Sequence, residues 1–473
     1  MTPNEALDAT VAEVAPLVHS RKLSPVALAE ASLGRLSTIG RSLNAVATLT
    51  GERALDEARA AEREIAAGRY RGPLHGIPYG AKDLLATRGI ATGWGARPLR
   101  DQTFENDAVV IRRLRDAGAV LVAKLAMIEL AGGLGYNTTA ASASGPTSNP
   151  WDRSRWSCGS SSGSGSATAA ALVGFSIGSE TWGSILCPSA FSGVSGLRPS
   201  YGLVPRTGAM ALSWTMDKIG PMARSAEDCR LVLSAIAGHD PADTSSLLEK
   251  MEGDAAPASA RGYRTGVVRP AFGKIYDREV EAAFEEAVRT LSGLGAQVSE
   301  AKLPDLPFDE TAILIITVEA AAAFEPLITS GRVRQLVEPA VKWAGDVAKT
   351  VSGVDYVRAM QARRMIQQAF EGIFQRYDLL VSPAMPIVAA RLSDKLETAF
   401  AYSDPLGSGG NLAGLPALSL PCGFSKAGLP VGMQIVGAPM SDLKVLALGR
   451  LYQENTDWHR RRPPTTTTAP KPV

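Results

Sequence analysis

Cysteine and histidine are both scarce in this chain, which contains four residues of each type. The cysteines, Cys158, Cys187, Cys229 and Cys422, are widely spaced and include no C-x-x-C pair. Neither residue type shows the close spacing of a zinc site or of a disulfide framework. We therefore expect no metal, and we interpret the cysteines as reduced core thiols of a cytoplasmic protein.

The chain also lacks an excess of charge and a long apolar run. It has 49 basic and 47 acidic residues, which gives a net charge of +2 and no reason to expect a nucleic-acid partner. The apolar run over 312–318 is too short to span a bilayer, and the polar N-terminus is unlike a signal peptide. We expect a protein that binds no membrane and acts on small molecules as a monomer or homodimer.

No linker-like segment divides the chain, so one large α/β domain over 1–460 fits its length better than several domains. Helical and strand patterns alternate along it. An example is a helix over 108–117, with Asp107 as its cap, followed by a buried strand over 119–123. This alternation predicts a central mixed, twisted β-sheet that is covered by helices on both faces.

Helices are predicted at the start of the chain and again over 311–377. The first helix is predicted to begin after a cap at Asn4 and to end before Pro16, and the second to begin at Ser24-Pro25. Residues 311–377 are predicted to form three helices that cover the substrate, with breaks near Ser330-Gly331 and Ser352-Gly353. The last residues, 461–473, are interpreted as a disordered tail.

A run of serine and glycine over 157–166, SCGSSSGSGS, has the composition of a flexible linker. It nevertheless continues directly into the apolar stretch over 167–173 and then into a strand-like segment that begins at Phe175. The sequence GSETWGSI follows over 178–185. Because long structureless segments are rare inside compact domains, this context indicates an ordered part of the core.

These two runs, together with Lys82 in GAKDLL at the end of a predicted strand, resemble the amidase signature family of serine hydrolases. The resemblance continues through GVSGLRPSYG over 193–202, DKIGPMARS over 217–225, AGLPALS over 413–419 and GLPVGMQ over 428–434. It covers about residues 1–460, loosely between 240 and 370. It implies one α/β domain with a catalytic core at about 70–230.

The resemblance also implies a role for particular residues. Ser184 would be the nucleophile, Ser160 a bridging serine held by a cis peptide bond to Gly159, and Lys82 the base. The oxyanion would be bound by backbone N–H groups of Thr181, Trp182, Gly183 and Ser184. Ala131, with Gly132 and Gly133, would line the substrate channel.

The chemistry of these residue types agrees with those roles. An exposed lysine is protonated near neutral pH, but burial without a carboxylate partner lowers its pKa and lets it accept a proton. Asp83 is expected to support the site by hydrogen bonding. Ser161 either supports the proton relay or only forms a turn. The alternative G-x-S-x-G elbow around Ser161 lacks the preceding strand and downstream histidine that it needs.

Three positions depart from the family's pattern. The family usually has glycine where this chain has Trp182, glycine at Cys158 and arginine at Leu186. In the family that arginine is expected to pair with the acid aligned with Glu180, so Glu180 needs another partner here. Trp182 places a large side chain beside the reacting centre and should reshape the acyl pocket.

The sequence therefore predicts an amidase, with no cofactor, that cleaves C–N bonds of hydrophobic aryl or acyl amides, and by the same chemistry carbamates. One alternative is a glutaminase-type amidotransferase A subunit that acts in a complex. Another is a non-catalytic assembly protein that keeps an amidase shell. Trp182, Leu186 and the apolar segment over 311–377 favour the first interpretation, and the intact Lys82, Ser160 and Ser184 argue against the last.

Overall fold

The protein is described here by a computed structural model that covers residues 1–248, 259–269, 276–339 and 341–464. The strands in these ranges form one sheet of eleven, in the order β1-β3-β2-β4-β6-β5-β10-β11-β9-β7-β8. The strands are β1 Val46–Leu49, β2 Pro78–Lys82, β3 Val120–Leu125, β4 Phe175–Glu180, β5 Ser195–Arg198, β6 Lys218–Ala223, β7 Arg264–Val267, β8 Gln297–Glu300, β9 Leu379–Pro383, β10 Ala417–Phe424 and β11 Pro430–Gly437.

Sixteen α-helices of the described ranges surround this sheet. They are α1 Pro3–Asp8, α2 Val11–His19, α3 Pro25–Arg35, α4 Gly51–Ala66, α5 Val109–Asp116, α6 Ser162–Ala169, α7 Leu186–Ser192, α8 Ala226–Ile236, α9 Arg278–Gly293, α10 Phe308–Ala323, α11 Glu325–Thr329, α12 Val341–Ala348, α13 Gly353–Arg376, α14 Leu396–Ala399, α15 Pro405–Leu412 and α16 Asp442–Glu454. The predicted α/β fold, a mixed sheet flanked by helices in a single domain, is confirmed.

The sheet combines two parallel blocks with an antiparallel centre, and β1 pairs antiparallel with β3 at one edge. Strand β2 is parallel to both β3 and β4, and β7 is parallel to both β8 and β9. Between them, β4, β6, β5, β10, β11 and β9 are joined by antiparallel pairs. Strands β2, β3 and β11 are buried along their whole length, as expected for strands covered on both faces.

The prediction of the first helices of the chain is partly wrong. Helix α3 begins at Pro25 after the Ser24 cap, as predicted. The single helix from Asn4 is instead two helices, and Pro16 lies inside the second. Thr2 and Thr10 each form a capping box with the glutamate three residues later, and this reciprocal pairing sets both helix starts.

Asp107 does not cap α5, which begins at Val109 without a side-chain cap. Its carboxylate instead accepts hydrogen bonds from Arg53 at 3.1 Å, from the Arg88 N–H at 2.8 Å and from Arg115 at 3.0 Å. Three competing donors, two of them distant in sequence, therefore decide where this side chain points.

The predicted covering segment contains four α-helices, α10 to α13, where three were expected. Ser352 caps α13 at the break predicted there, and Gly331 adopts a left-handed conformation at the other break. Ala312 and Ile315 of α10 pack with Ile366 and Phe370 of α13 in one apolar cluster. Ile313, on the other side of α10, is 55% exposed.

The prediction of four reduced cysteines is wrong for two of them. Cys158 and Cys187 form a disulfide with Cα atoms 5.9 Å apart, whereas Cys229 and Cys422 are buried free thiols. The bonded residues are 29 positions apart, and α6, which follows Cys158, packs against α7, which contains Cys187. Their pairing is a property of the tertiary fold, which the spacing of the cysteines does not reveal.

The C-terminal residues are ordered as far as the structure describes them. The Arg462 guanidinium donates two hydrogen bonds to the Asp8 carbonyl, and His459 is 7% exposed. Residues 465–473 of the predicted tail lie outside the described residues. In the ranges that are described, no helix is both long and apolar enough to cross a bilayer.

Candidate active site

The ends of two parallel strands bring the predicted residues together. Strands β2 and β4 pair in parallel, with Ala81 opposite Ile177. Lys82 is the last residue of β2, and Glu180 is the last residue of β4. Because parallel strands end at the same edge of a sheet, Lys82 and the segment that follows Glu180 lie side by side.

Lys82 is completely buried and is surrounded by hydroxyl and carbonyl groups. Its Nζ lies 2.7 Å from Ser160 Oγ, 3.0 Å from Ser179 Oγ and 3.3 Å from the Ser179 carbonyl oxygen. Burial lowers the pKa of the Lys82 ammonium to about 7, although the charges of Asp217 and Glu180 oppose this shift. A large fraction of Lys82 is therefore neutral near pH 7.

Ser160 lies in the loop before α6, after a cis peptide bond to Gly159. Its carbonyl oxygen accepts a hydrogen bond from the Ile128 N–H at 3.1 Å. The next residue, Ser161, contacts both Ser184 and the end of strand β4. Its N–H donates to the Ser184 carbonyl at 3.3 Å, and its hydroxyl donates to the Ser179 carbonyl at 3.1 Å.

Ser184 borders a cavity of about 310 Å³, which we call the acyl cavity. The Ser184 hydroxyl makes no hydrogen bond to any residue that the structure describes. Ala131, Gly132 and Gly133 also line this cavity, in agreement with the channel position that the resemblance implies. Its lining is completed by Leu134, Gly135, Tyr136, Thr181, Trp182, Leu212, Ile313, Ile316, Thr317 and Ala344.

The backbone before Ser184 presents free N–H groups. Within the described ranges, no protein acceptor is found for the N–H groups of residues 181–184. The next two, of Ile185 and Leu186, are bound by Glu180 Oε2 at 2.8 and 3.0 Å. Gly183 has a φ of +76°, which glycine adopts without a steric penalty.

Glu180 has the partner that sequence reasoning could not name. Its Oε1 accepts from Arg198 at 3.0 Å and from Asn411 Nδ2 at 3.0 Å, and both ends of the ion pair are fully buried. Burial would raise the pKa of this carboxyl, but Arg198, Lys218 and the two backbone N–H groups outweigh it and hold the pKa below its usual value. Arg198 lies within the GLRPS part of a recognised motif, but only the fold brings it to Glu180.

Trp182 separates the acyl cavity from a second one of about 220 Å³, which we call the side cavity. The Trp182 indole N–H donates to Asp404 Oδ2 at 3.2 Å. Burial raises the pKa of the Asp404 carboxyl to about 6, against the hydrogen bonds from Trp182 and Gly407. Trp182 also packs against the apolar cluster that contains Leu186.

Other functional neighbours were missed by sequence reasoning. Asp217 accepts a hydrogen bond from the Thr181 hydroxyl at 2.6 Å and so anchors the segment that leads to Ser184. Asp83, the expected hydrogen-bonding support of the site, accepts from the Gly93 N–H at 3.0 Å and lies 3.4 Å from Lys124 Nζ, so it points away from Lys82. Asp217 belongs to the recognised DKIGP motif, which offered a signal, whereas Lys124 belongs to no recognised motif.

No group of three or more His, Cys, Asp or Glu side chains is arranged to share a metal ion within the described ranges. The groups gathered around Lys82 and Ser184 are hydroxyls, a buried amine and backbone N–H donors. This set of groups can support nucleophilic attack on a carbonyl carbon.

Comparison with known proteins agrees with this geometry. A family model described as Amidase matches residues 27–446. The chain belongs to the amidase signature family. The resemblance found in the sequence is thereby confirmed, and the protein is an amidase signature enzyme.

Its relatives differ in their reactions. The A subunit of the glutamyl-tRNA(Gln) amidotransferase from Moorella thermoacetica is 38% identical over 480 residues, covering 96% of this chain and 98% of the relative. The structure of a peptide amidase from Stenotrophomonas maltophilia is 32% identical with a TM-score of 0.86, covering 97% and 99%. A bacterial aryl acylamidase structure is 25% identical with a TM-score of 0.86, covering 96% and 99%.

Replacing Arg198 with methionine should destabilise the protein strongly, because Glu180 would remain buried without its cation. We expect the free energy of unfolding to fall by about 3–5 kcal/mol. The control is Arg230→Met, which breaks the more exposed pair with Glu227 and should cost no more than about 1 kcal/mol. Urea denaturation measures both changes. Equal losses in the two variants would contradict a structural role for the buried pair.

Proposed function

We propose that this enzyme hydrolyses amides of hydrophobic acyl or aryl groups through an ester on Ser184. Lys82 acts as the base and Ser160 relays the proton between them. The observation that carries the proposal is the position of a fully buried Lys82 amine 2.7 Å from the Ser160 hydroxyl, with its pKa lowered to about 7. A lysine with an ordinary pKa could not serve as a base near neutral pH.

The first half of the reaction makes the ester. Neutral Lys82 takes the Ser160 proton as Ser160 takes that of Ser184, and Ser184 Oγ attacks the amide carbon. The amide C–N bond then breaks as the proton returns through Ser160 to the leaving nitrogen, which departs as an amine. In the second half, water attacks the ester carbon, its proton follows the same route, and the acid leaves while Ser184 regains its proton.

The negative oxygen of both tetrahedral intermediates needs donors. The unoccupied N–H groups over 181–184 supply them, because Glu180 takes the next two N–H groups of the chain and leaves these for the substrate. Removing one such donor from a hydrolase typically lowers the rate by about 10²–10³-fold. The Asp217 contact with Thr181 and the ion pair of Glu180 hold this segment in place.

The walls of the acyl cavity support a hydrophobic substrate. Trp182, Leu212, Ile313 and Ile316 all border it, beside the glycines of the 132–135 loop. Ile313 both lines the cavity and is 55% exposed, so the apolar lining reaches the surface. An aryl or extended acyl group would therefore remain in contact with apolar side chains from Ser184 to the solvent. Aryl carbamates of similar shape fit the same chemistry.

A second candidate is glutamine hydrolysis within an amidotransferase. It is favoured by the 38% identity to an amidotransferase A subunit over nearly the whole length of both chains. Against it, the indole of Trp182 occupies the boundary between the two cavities and binds the Asp404 carboxylate. A small polar substrate would have to compete with that indole for the buried acid.

A fluorophosphonate probe and a substrate panel test the proposal together. We expect one covalent adduct, which peptide mass mapping places on Ser184, and none in Ser184→Ala. Aryl anilides and anilide carbamates should then give higher kcat/KM than glutamine or small primary amides. An adduct on Ser161 would refute the assigned nucleophile, and faster turnover of glutamine than of every aryl substrate would favour the amidotransferase function.

Activity should change with pH in proportion to the fraction of Lys82 that is neutral. The lowered pKa means that the base is present above pH 7 and is lost by protonation below it. We expect kcat/KM to fall about tenfold per pH unit below about pH 6 and to level off above about pH 8. Lys82→Arg should be inactive because arginine stays charged.

The control for this profile is Lys124→Arg, which changes the other buried lysine of the region. Lys124 contacts Thr92 and Asp83 rather than Ser160, so the pH midpoint should remain near that of the wild type. A profile that is flat between about pH 6 and 9 with chemistry rate-limiting, or an active Lys82→Arg enzyme, would contradict the role of Lys82.

Trp182→Gly should alter substrate preference more than it lowers the overall rate of hydrolysis. The reason is that the indole forms part of the cavity wall, whereas the backbone supplies the oxyanion donors. The ratio of kcat/KM for an aryl-acyl anilide to that for an acetyl anilide should change at least about tenfold. Trp458→Ala, a large-to-small change that borders neither cavity, should leave the ratio unchanged. Equal ratios in all three proteins would show that Trp182 does not determine specificity.

A further inference from the structure

The disulfide joins the two segments that carry the serines of the site. Cys158 lies two residues before Ser160, in the loop that leads to α6. Cys187 lies three residues after Ser184, in the first turn of α7, where its N–H donates to the Gly183 carbonyl at 2.8 Å. The covalent bond therefore spans from one serine segment to the other, with Cα atoms 5.9 Å apart.

Non-covalent contacts between these segments near the hydroxyls are weak. The Ser161 N–H donates to the Ser184 carbonyl at 3.3 Å, which is long for a backbone hydrogen bond. Between the Ser160 and Ser184 hydroxyls, no hydrogen bond is formed in the described structure. Ser160 itself is held by Lys82 at 2.7 Å and by the Ile128 N–H at 3.1 Å, and the loop before Ser160 is the further element that fixes its position relative to Ser184.

The loop itself has an unusual backbone at Cys158. This residue has a φ of +65°, in the left-handed region that non-glycine residues seldom adopt. The cysteine stands where the family usually has glycine, for which this conformation carries no steric penalty. A bond from its side chain to α7 supplies a restraint that glycine could not provide.

We propose that the Cys158–Cys187 disulfide is a positioning element of the reaction, which holds Ser160 within proton-transfer reach of Ser184. The inference rests on the proposed function, since it assigns the bond to the same serine relay. Misplacing a reacting group by about 1 Å can lower a rate about 10²-fold. The acyl cavity has other walls, so loss of the bond lowers kcat rather than raising KM.

The bond can be opened by a small dithiol. Each disulfide takes up two electrons and two protons to give two thiols, while the dithiol is oxidised to a cyclic disulfide. Both cysteines border the side cavity, which gives a small reductant a path to the sulfurs although their side chains are nearly buried. Cys229 and Cys422 have no disulfide partner and serve as internal controls.

The experiment compares the oxidised protein with the dithiothreitol-reduced protein, Cys158→Ser, Cys187→Ser and the controls Cys229→Ala and Cys422→Ala. In the wild type, thiol alkylation under denaturing conditions followed by intact-mass measurement should find two free thiols before reduction and four after it. For a short acyl anilide, we expect kcat and the rate of Ser184 labelling by the fluorophosphonate to fall at least about tenfold, with KM within about twofold. Reoxidation should restore both rates in the wild type and in the two control variants, but not in Cys158→Ser or Cys187→Ser.

Several results would overturn the inference. These are four free thiols before reduction, unchanged kcat in the reduced protein and both serine variants, or a loss of kcat that follows only a drop in melting temperature below the assay temperature. Failure of the proposed function looks different, because the oxidised wild type would then label on a residue other than Ser184 or turn over no aryl amide.

Discussion

The site depends on one constraint, which is that the Lys82 amine is buried without a carboxylate in contact with it. Lys82 is at the end of a fully buried strand, so its ammonium has lost its water, and the shell around Nζ offers hydroxyl and carbonyl oxygens but no acid. Had Asp83, the next residue, turned towards it, the ion pair would have restored the charge. Asp83, in the turn that follows β2, instead points to Lys124.

The nearby acids are kept from Lys82 by partners of their own. Glu180 is bound by Arg198, Asn411 and two backbone N–H groups. Asp217 accepts from the Thr181 hydroxyl and from the N–H groups of Leu212 and Ser213. Both charges still raise the pKa of Lys82, but burial outweighs them. The same bonds also fix the segment that carries the oxyanion donors, so the electrostatics and the geometry of the site have one structural origin.

The sequence was sufficient for the fold class and for the residues that meet at the strand ends. Lys82 and the 157–166 and 178–185 runs lie in short, locally recognisable motifs, and parallel pairing of β2 and β4 explains why they meet. The helix starts at Thr2 and Thr10 were missed although both capping boxes are local, because Asn4 and Pro16 gave competing signals. Arg198, Asp404 and the disulfide could not be foreseen, since each acts across contacts that only the packed chain creates.

The three positions that depart from the family's pattern, Cys158, Trp182 and Leu186, are connected to one another in the structure. With leucine at 186, the ion pair of Glu180 is made by Arg198 from β5, and Leu186 joins an apolar cluster. Trp182 packs against that cluster, which places its indole N–H on Asp404. Cys187 then ties the same helix start to the loop before Ser160. An arginine at 186 would introduce a charge into this cluster beside the indole. Leu186 and Trp182 are therefore expected to depend on each other, because Leu186 belongs to the cluster that supports Trp182 and Trp182 forms part of the wall of the acyl cavity.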